Sequence, residues 1–280
     1  MTTKAQHALS FDIEDWFHLV DIDAVADSAQ WPDLPSLVER YTHWILDTLQ
    51  EFDTRATFYV LGWIAERYPE LVQRMVDDGH EVGSHSYWHR RVYELSPDEF
   101  RDDMTRCNDA LHKAGVEHVR GFRAPSFSIT PGAEWAFDVL HDLDFEYDAS
   151  LFPAPRGHGG YPCPREPHHF ADAPSGRPMP ELPMSTMKFL GKDLPFSGGG
   201  YMRLLPTWLI RKGFRQLERD NLPTVVYLHP RDFAADCPKV PMPLKRRFKC
   251  YVGLGSTKDK LRTLLNEFEF TTCADILNLQ

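Results

Sequence analysis

Short apolar runs alternate with longer stretches of helical periodicity along most of this chain. Residues 8–11 are apolar and run into Asp12, which reads as a buried first strand. Leu37, Tyr41, Trp44, Ile45 and Thr48 then share one helical face. Ser36 and Glu39 stand in capping-box spacing before them, so a helix is expected over about 36–50. Residues 56–61 are β-branched and aromatic and predict a second strand. Residues 69–78 begin with proline and stop at Gly79, the asymmetry of a helix. A brief strand follows at 81–83. Ser96, Pro97 and Glu99 open a helix that ends near Gly115. Further strands are expected at 119–122, 145–147, 224–228 and 270–272, with helices at about 130–141, 206–219 and 256–268.

This alternation implies an α/β fold with a parallel sheet. Its seven or eight units favour a (β/α) barrel over an open sheet. One domain over residues 1–280 is expected. Residues 151–203 break the pattern: ten prolines lie between Leu151 and Gly200, with Gly198-Gly199-Gly200 at the end. Such a stretch is too proline-rich for regular elements. It keeps Phe152, Tyr161, Phe170, Phe189 and Phe196, so an ordered excursion over one mouth of the barrel is expected.

The net charge of −10 repels phosphate backbones, and no nucleic-acid partner is expected. No run of about 18 apolar residues occurs, so no membrane-spanning segment is expected. The five cysteines, odd in number and without a C-x-x-C, read as reduced thiols. No apolar leader is visible at the N-terminus, which makes the cytoplasm the expected location.

Polar residues cluster at the C-terminal ends of the predicted strands, where a parallel barrel gathers its catalytic groups. His85 and His89, four apart after the third strand, can turn toward one metal ion, although thirteen histidines produce such spacings by chance. Asp12, Glu14 and Asp15 crowd three carboxylates beside a buried strand, which calls for a compensating cation; an exposed acidic turn is the plainer alternative. Arg123 can hold a carboxylate, in catalysis or as a structural ion pair. His229 closes the strongest strand and suits a general acid or a hydrogen-bonded core position.

In order, Ser10-Phe11-Asp12-Ile13-Glu14-Asp15, His85-Ser86-Tyr87-Trp88-His89, Arg123-Ala124-Pro125, Tyr147-Asp148-Ala149-Ser150 and Val226-Tyr227-Leu228-His229 resemble the five motifs of the NodB-type polysaccharide deacetylases, a family of carbohydrate esterases. Residues 197–206 and 229–248, the latter opening a family-specific C-terminal part at about 230–280, resemble the branch found in bacterial exopolysaccharide-biosynthesis loci.

The resemblance implies the family's distorted barrel of about seven units and one divalent ion, zinc first, with cobalt, nickel or manganese as alternatives. It implies Asp12 as catalytic base, Arg123 as its orienting partner, His229 as acid and Asp148 as a further catalytic position. His85 and His89 match the metal ligands. The family's metal-binding aspartate directly follows the base, but Ile13 stands there. Glu14, Asp15 or water must replace it, with Asp15 slightly preferred. Pro125, Trp88 and Tyr201 are the expected substrate-binding residues. The implied reaction removes acetyl groups from an N-acetylated oligo- or polysaccharide. Rivals are a C–N hydrolase of small cyclic amides, a non-catalytic glycan-binding protein, and a glycosidase using Asp12 with Asp148.

Overall fold

The computed structural model describes residues 5–20, 22–154 and 159–279. Strands are β1 (Gln6–Ile13), β2 (Thr57–Val60), β3 (Glu81–Ser84), β4 (Gly121–Phe122), β5 (Tyr147–Asp148), β6 (His168–Phe170), β7 (Met179–Glu181), β8 (Thr186–Phe189), β9 (Lys192–Pro195), β10 (Val225–Leu228) and β11 (Glu269–Thr271). Helices are α1 (Val38–Glu51), α2 (Gly62–Arg67), α3 (Pro69–Asp77), α4 (Pro97–Lys113), α5 (Trp135–Asp142), α6 (Gly199–Leu204), α7 (Thr207–Arg219), α8 (Leu244–Tyr251), α9 (Thr257–Glu267) and α10 (Cys273–Ile276).

The main sheet runs β10-β1-β2-β3-β4-β5-β7-β6, with β11 also on β1. Every pairing is parallel except β6 with β7. It is a curled half-barrel of parallel strands, the α/β arrangement with a parallel sheet that the alternating pattern implies. The central strand β1 is buried from His7 to Ile13. Helices α1, α3, α7 and α9 lay their apolar faces on it: Ile45, Leu49, Val72, Met75, Phe214 and Leu264 join Leu9, Phe11 and Ile13 in the largest core cluster. Both faces of such a sheet are covered, so its strands read as near-continuous apolar runs.

Two local expectations meet different fates. Ser96 and Glu99 cap α4 reciprocally, as their spacing implies. Ser36 does not cap α1: the N-cap is Leu37, and the Ser36 hydroxyl donates to Asp15 at 2.6 Å. The proline-rich stretch also departs from expectation. It forms β6 and β7, which extend the sheet, and the hairpin β8-β9. These strands are only three or four residues long, and the two prolines inside them are Pro180 in the middle of β7 and Pro195 at the end of β9. Phe170 and Met179 anchor them in a second core cluster with Phe137 and Leu140. Pro155 lies outside the described residues.

Candidate metal and catalytic site

The C-terminal ends of β1, β3, β4 and β10 converge on one pocket of about 490 Å³. Asp12, Glu14, His85, His89, Ser126, Phe127, Tyr201, Tyr227 and His229 are among its lining residues. Side chains alternate along a strand. Asp12 and Glu14, two apart, therefore share the pocket face, while Ile13 between them is fully buried in the core. That alternation answers the departure in the first motif. The carboxylate comes from two positions beyond Asp12 rather than one.

Glu14, His85 and His89 each offer a ligand atom, all within 4.8 Å of one another. Glu14 Oε2 lies 2.7 Å from His89 Nε2. Burial would push the Glu14 carboxyl up, but the neighbouring His89 outweighs it and holds Glu14 below the usual carboxylate range. Burial lowers His85 to about 4, keeping its imidazole neutral. His85 Nδ1 donates to the Arg123 carbonyl at 2.7 Å, which leaves the Nε2 lone pair for a ligand. His89 Nδ1 is buried without a hydrogen-bond partner. A neutral His85 imidazole, an ionised Glu14 carboxylate and a buried His89 nitrogen without a hydrogen-bond partner form a donor set that suits a zinc-like ion.

Asp15, the slightly preferred third ligand, is not in this group. Its carboxylate accepts hydrogen bonds from Trp16 N, Leu37 N, Val38 N and Ser36 Oγ. It ties the turn after β1 to the start of α1. Burial raises its pKa even against these bonds. Nothing of Asp15 remains to reach the histidines.

Asp12 is held for a different task. Its Oδ1 accepts from Arg123 Nη1 at 2.8 Å, and its Oδ2 lies 3.8 Å from His229 Nε2. Arg123 is fully buried. It also donates to Ser10 Oγ and the Ala149 carbonyl, and its guanidinium lies 4.2 Å from the Tyr59 ring centre. A buried cation of this kind needs its carboxylate. His229 Nδ1 is 2.9 Å from Asp232 Oδ2. Burial alone would lower the His229 pKa, but Asp232, with Glu14 and Asp12, raises it. Asp232 in turn meets Arg203 at 3.0 Å and is held near 2, burial being outweighed by Arg203 and His229.

The loop holding both histidines is braced. His89 N donates to Ser86 Oγ, and Tyr87 N donates to Asp103. Ser86, His89, Ser126 and Phe127 all take positive φ between 56° and 67° without being glycine. Such strained backbone gathers at functional sites.

Three further candidates lie elsewhere. Asp148 sits behind Arg123, hydrogen-bonded to Ser150 and to the Glu181 carboxyl. Burial pushes both carboxyls up, so this pair holds a proton and does not open to the pocket. Pro125 is buried, and Trp88 packs against Tyr87 and Trp31. Neither lines the pocket, whereas Tyr201 does. Sequence reasoning missed Asp232, although its place three residues after His229 was a visible signal. Arg203, Ser126 and Tyr227 were missed with none.

Residues 28–146 match the family model described as polysaccharide deacetylase, and residues 149–278 match a domain of unknown function, DUF3473. The chain is 33% identical over 85 residues to a peptidoglycan-N-acetylglucosamine deacetylase of Bacillus cereus, a stretch covering 30% of this chain and 31% of that protein. It is 35% identical over 97 residues to a chitooligosaccharide deacetylase of Bradyrhizobium, covering 34% and 42%. The matched stretches thus span less than half the length of these curated relatives. A crystal structure from Mycobacterium smegmatis, assigned to the polysaccharide deacetylases, superposes with a TM-score of 0.66 at 21% identity over 98% of this chain and 89% of that one. That likeness speaks for the fold. No helix among the described residues is long and apolar enough to cross a membrane.

Proposed function

We propose that this chain, which belongs to the polysaccharide deacetylase family through residues 28–146, is a metal-dependent hydrolase that removes acetyl groups from N-acetylated sugars of a bacterial polysaccharide or its precursor. One observation carries the reading. Asp12 and His229, each locked by its own partner, face each other beside the Glu14–His85–His89 donor set in a single pocket.

Glu14, His85 and His89 would hold the divalent ion, zinc first. When bound, it supplies Lewis-acid polarisation of the acetamide carbonyl and a more acidic water. The chain's own groups do the rest. Arg123 occupies Asp12 Oδ1 and keeps the carboxylate ionised and oriented. Oδ2 is left to take a proton from the attacking water. Asp232 fixes the His229 ring through Nδ1 and, with Glu14 and Asp12, favours the imidazolium, whose Nε2 proton the departing amine requires. Tyr201 and Tyr227 line the same space and offer flat faces to a sugar ring.

The test is acetate release from N-acetylated chito-oligosaccharides by zinc-loaded protein, beside Asp12→Asn. Release by the native chain and its loss in the variant support the reading. Full activity in Asp12→Asn removes Asp12 from the mechanism. The small cyclic-amide alternative would show as turnover of such amides without acetate release.

A further inference from the structure

The pocket has a second half that the deacetylation chemistry does not use. Four cations form part of its wall, Arg203, Arg231, Arg246 and Lys249, with Asp12 and Glu14 the only carboxylates among the described lining residues, and Arg246 donates to the Val20 carbonyl. Arg203 is neutralised by Asp232. Arg231 donates to the Cys250 carbonyl and keeps a buried Nε with no acceptor. The Lys249 side chain is exposed, with no carboxylate paired to it among the described residues. A divalent ion on Glu14, His85 and His89 would add two positive charges. All this sits on a chain whose net charge is −10. Phe248 and Leu204, 58% and 52% exposed, border the same opening. The cationic wall, Phe248 and Leu204 all belong to residues 149–278, the stretch matched only by a domain of unknown function.

A neutral glycan gains nothing from such a wall, and a buried guanidinium with an orphaned N–H is costly without an acceptor. A positive cleft on an acidic protein concentrates anions. Resting on the deacetylase reading, we infer that the outer half of the pocket binds a negatively charged group of the glycan, a carboxylate or a phosphate, beside the sugar that is deacetylated, with Phe248 against a sugar ring. A volume of about 490 Å³ falls in the range of about 300–1,000 Å³ for small-molecule sites and gives room for two neighbouring sugars. An anionic lipid surface is a weaker match. It would engage Leu244, Lys245 and Arg247 of α8, which do not line the pocket, whereas Arg246 and Lys249 do.

The experiment is calorimetric binding to the zinc-loaded protein of two tetrasaccharides of equal length, one from chitin and one from hyaluronan, in which glucuronate alternates with N-acetylglucosamine. N-acetylglucosamine 1-phosphate is compared with N-acetylglucosamine in parallel. The anionic probe is expected to bind about fivefold tighter or more at low salt, and to lose the advantage near about 1 M salt. In Lys249→Glu the preference should vanish. A preference for the hyaluronan probe places a carboxylate on the neighbouring sugar, and one for the phosphate probe places a phosphate on the reacting sugar. Equal affinity within either pair at low salt in both comparisons, including no binding of any probe, overturns the inference. So does binding to phosphatidylglycerol vesicles that Lys249→Glu removes without any preference between glycans. Failure of the deacetylase reading would look different: the binding preference would stand while no probe released acetate.

Discussion

Replacing Glu14 and Asp15 in turn separates two carboxylates that are neighbours in sequence and have opposite jobs. Glu14→Gln keeps the shape of the side chain and removes one of three ligand atoms. Substituting groups that only support ligands weakens metal binding by about 10–100-fold, so loss of a ligand should cost about 100-fold or more. By linkage, about 100-fold weaker binding removes about 2.7 kcal/mol of zinc-induced stabilisation at a fixed, saturating zinc concentration. Asp15→Ala should act on the fold instead. It strands the N–H groups of Leu37 and Val38 at the start of α1 and frees Ser36. Lost caps cost about 1 kcal/mol each, and hydrogen bonds to a charged acceptor about 1.5–3. The unfavourable burial of the Asp15 carboxylate offsets part of this, leaving a net loss of about 3 kcal/mol. In a chain of this size that is a fall in Tm of roughly 6–12 °C. The assays are competition with a chromophoric chelator for zinc affinity and thermal melting with and without zinc. The expected pattern is weak zinc binding with a normal metal-free melt for Glu14→Gln, and the reverse for Asp15→Ala. If Asp15→Ala loses zinc and Glu14→Gln keeps it, the third ligand is Asp15 and the reasoning from strand alternation is wrong.

Other outcomes follow from the same geometry. Asp232→Asn releases the His229 ring and unpairs Arg203, and should lower the rate of acetate release by about 10²–10⁴-fold with zinc content intact; an unchanged rate would remove His229 as the acid. Arg123→Met leaves Asp12 buried without its cation and should destabilise the fold by about 3–5 kcal/mol, read from urea unfolding; a loss under about 1 kcal/mol would contradict the pairing. His7 is buried neutral, its pKa lowered by burial to about 4 from 6.5, with Nδ1 accepting from Thr224 N. The unfolded chain therefore binds the extra proton between these values, so stability is present above pH 6.5 and is lost as pH falls toward 4. At pH 5 the loss is about 2 kcal/mol. The native chain should lose about that much more than His7→Gln between pH 7.5 and pH 5, and equal losses would refute it.

The chemistry of the first half was legible because it lies in local patterns. Strand ends at Asp12, His85, Arg123 and His229 follow from short apolar runs, and a parallel sheet gathers such ends on one face. Period-two alternation from Asp12 also pointed to Glu14, but the adjacency expected from the first motif drew attention to its neighbours. Ser36 misled for a related reason. It stands at cap spacing from Glu39, yet Asp15, 21 residues upstream, takes its hydroxyl. What stayed hidden depends on long-range contacts. Glu181 meets Asp148 across 33 positions, and Arg203 meets Asp232 across 29. No local periodicity encodes either. The aromatics of the proline-rich stretch pointed to an ordered segment, but its proline count hid the short strands within it. Phe170, stacked on Phe137 at 4.2 Å, is enough to seat a short edge strand.

The two matched stretches divide the work unequally. The first supplies Glu14's partners His85 and His89 and the buried Arg123, while β1, which holds Asp12 and Glu14, precedes it. The second supplies His229, its orienting Asp232, the Arg203 that holds Asp232 ionised, and the cationic wall. In the proposed reaction, an acid aligned by a charge chain from one half thus faces a base aligned by an arginine from the other. Arg203 is tied through the Lys249 and Cys250 carbonyls to α8, which carries Arg246 and Lys249 of the wall. A group drawn against Lys249 therefore bears on the element that holds Arg203, and through Asp232 on the ring of His229. On the proposed reading, substrate charge and acid alignment would share one continuous set of contacts, a physical reason for both to reside in the C-terminal half.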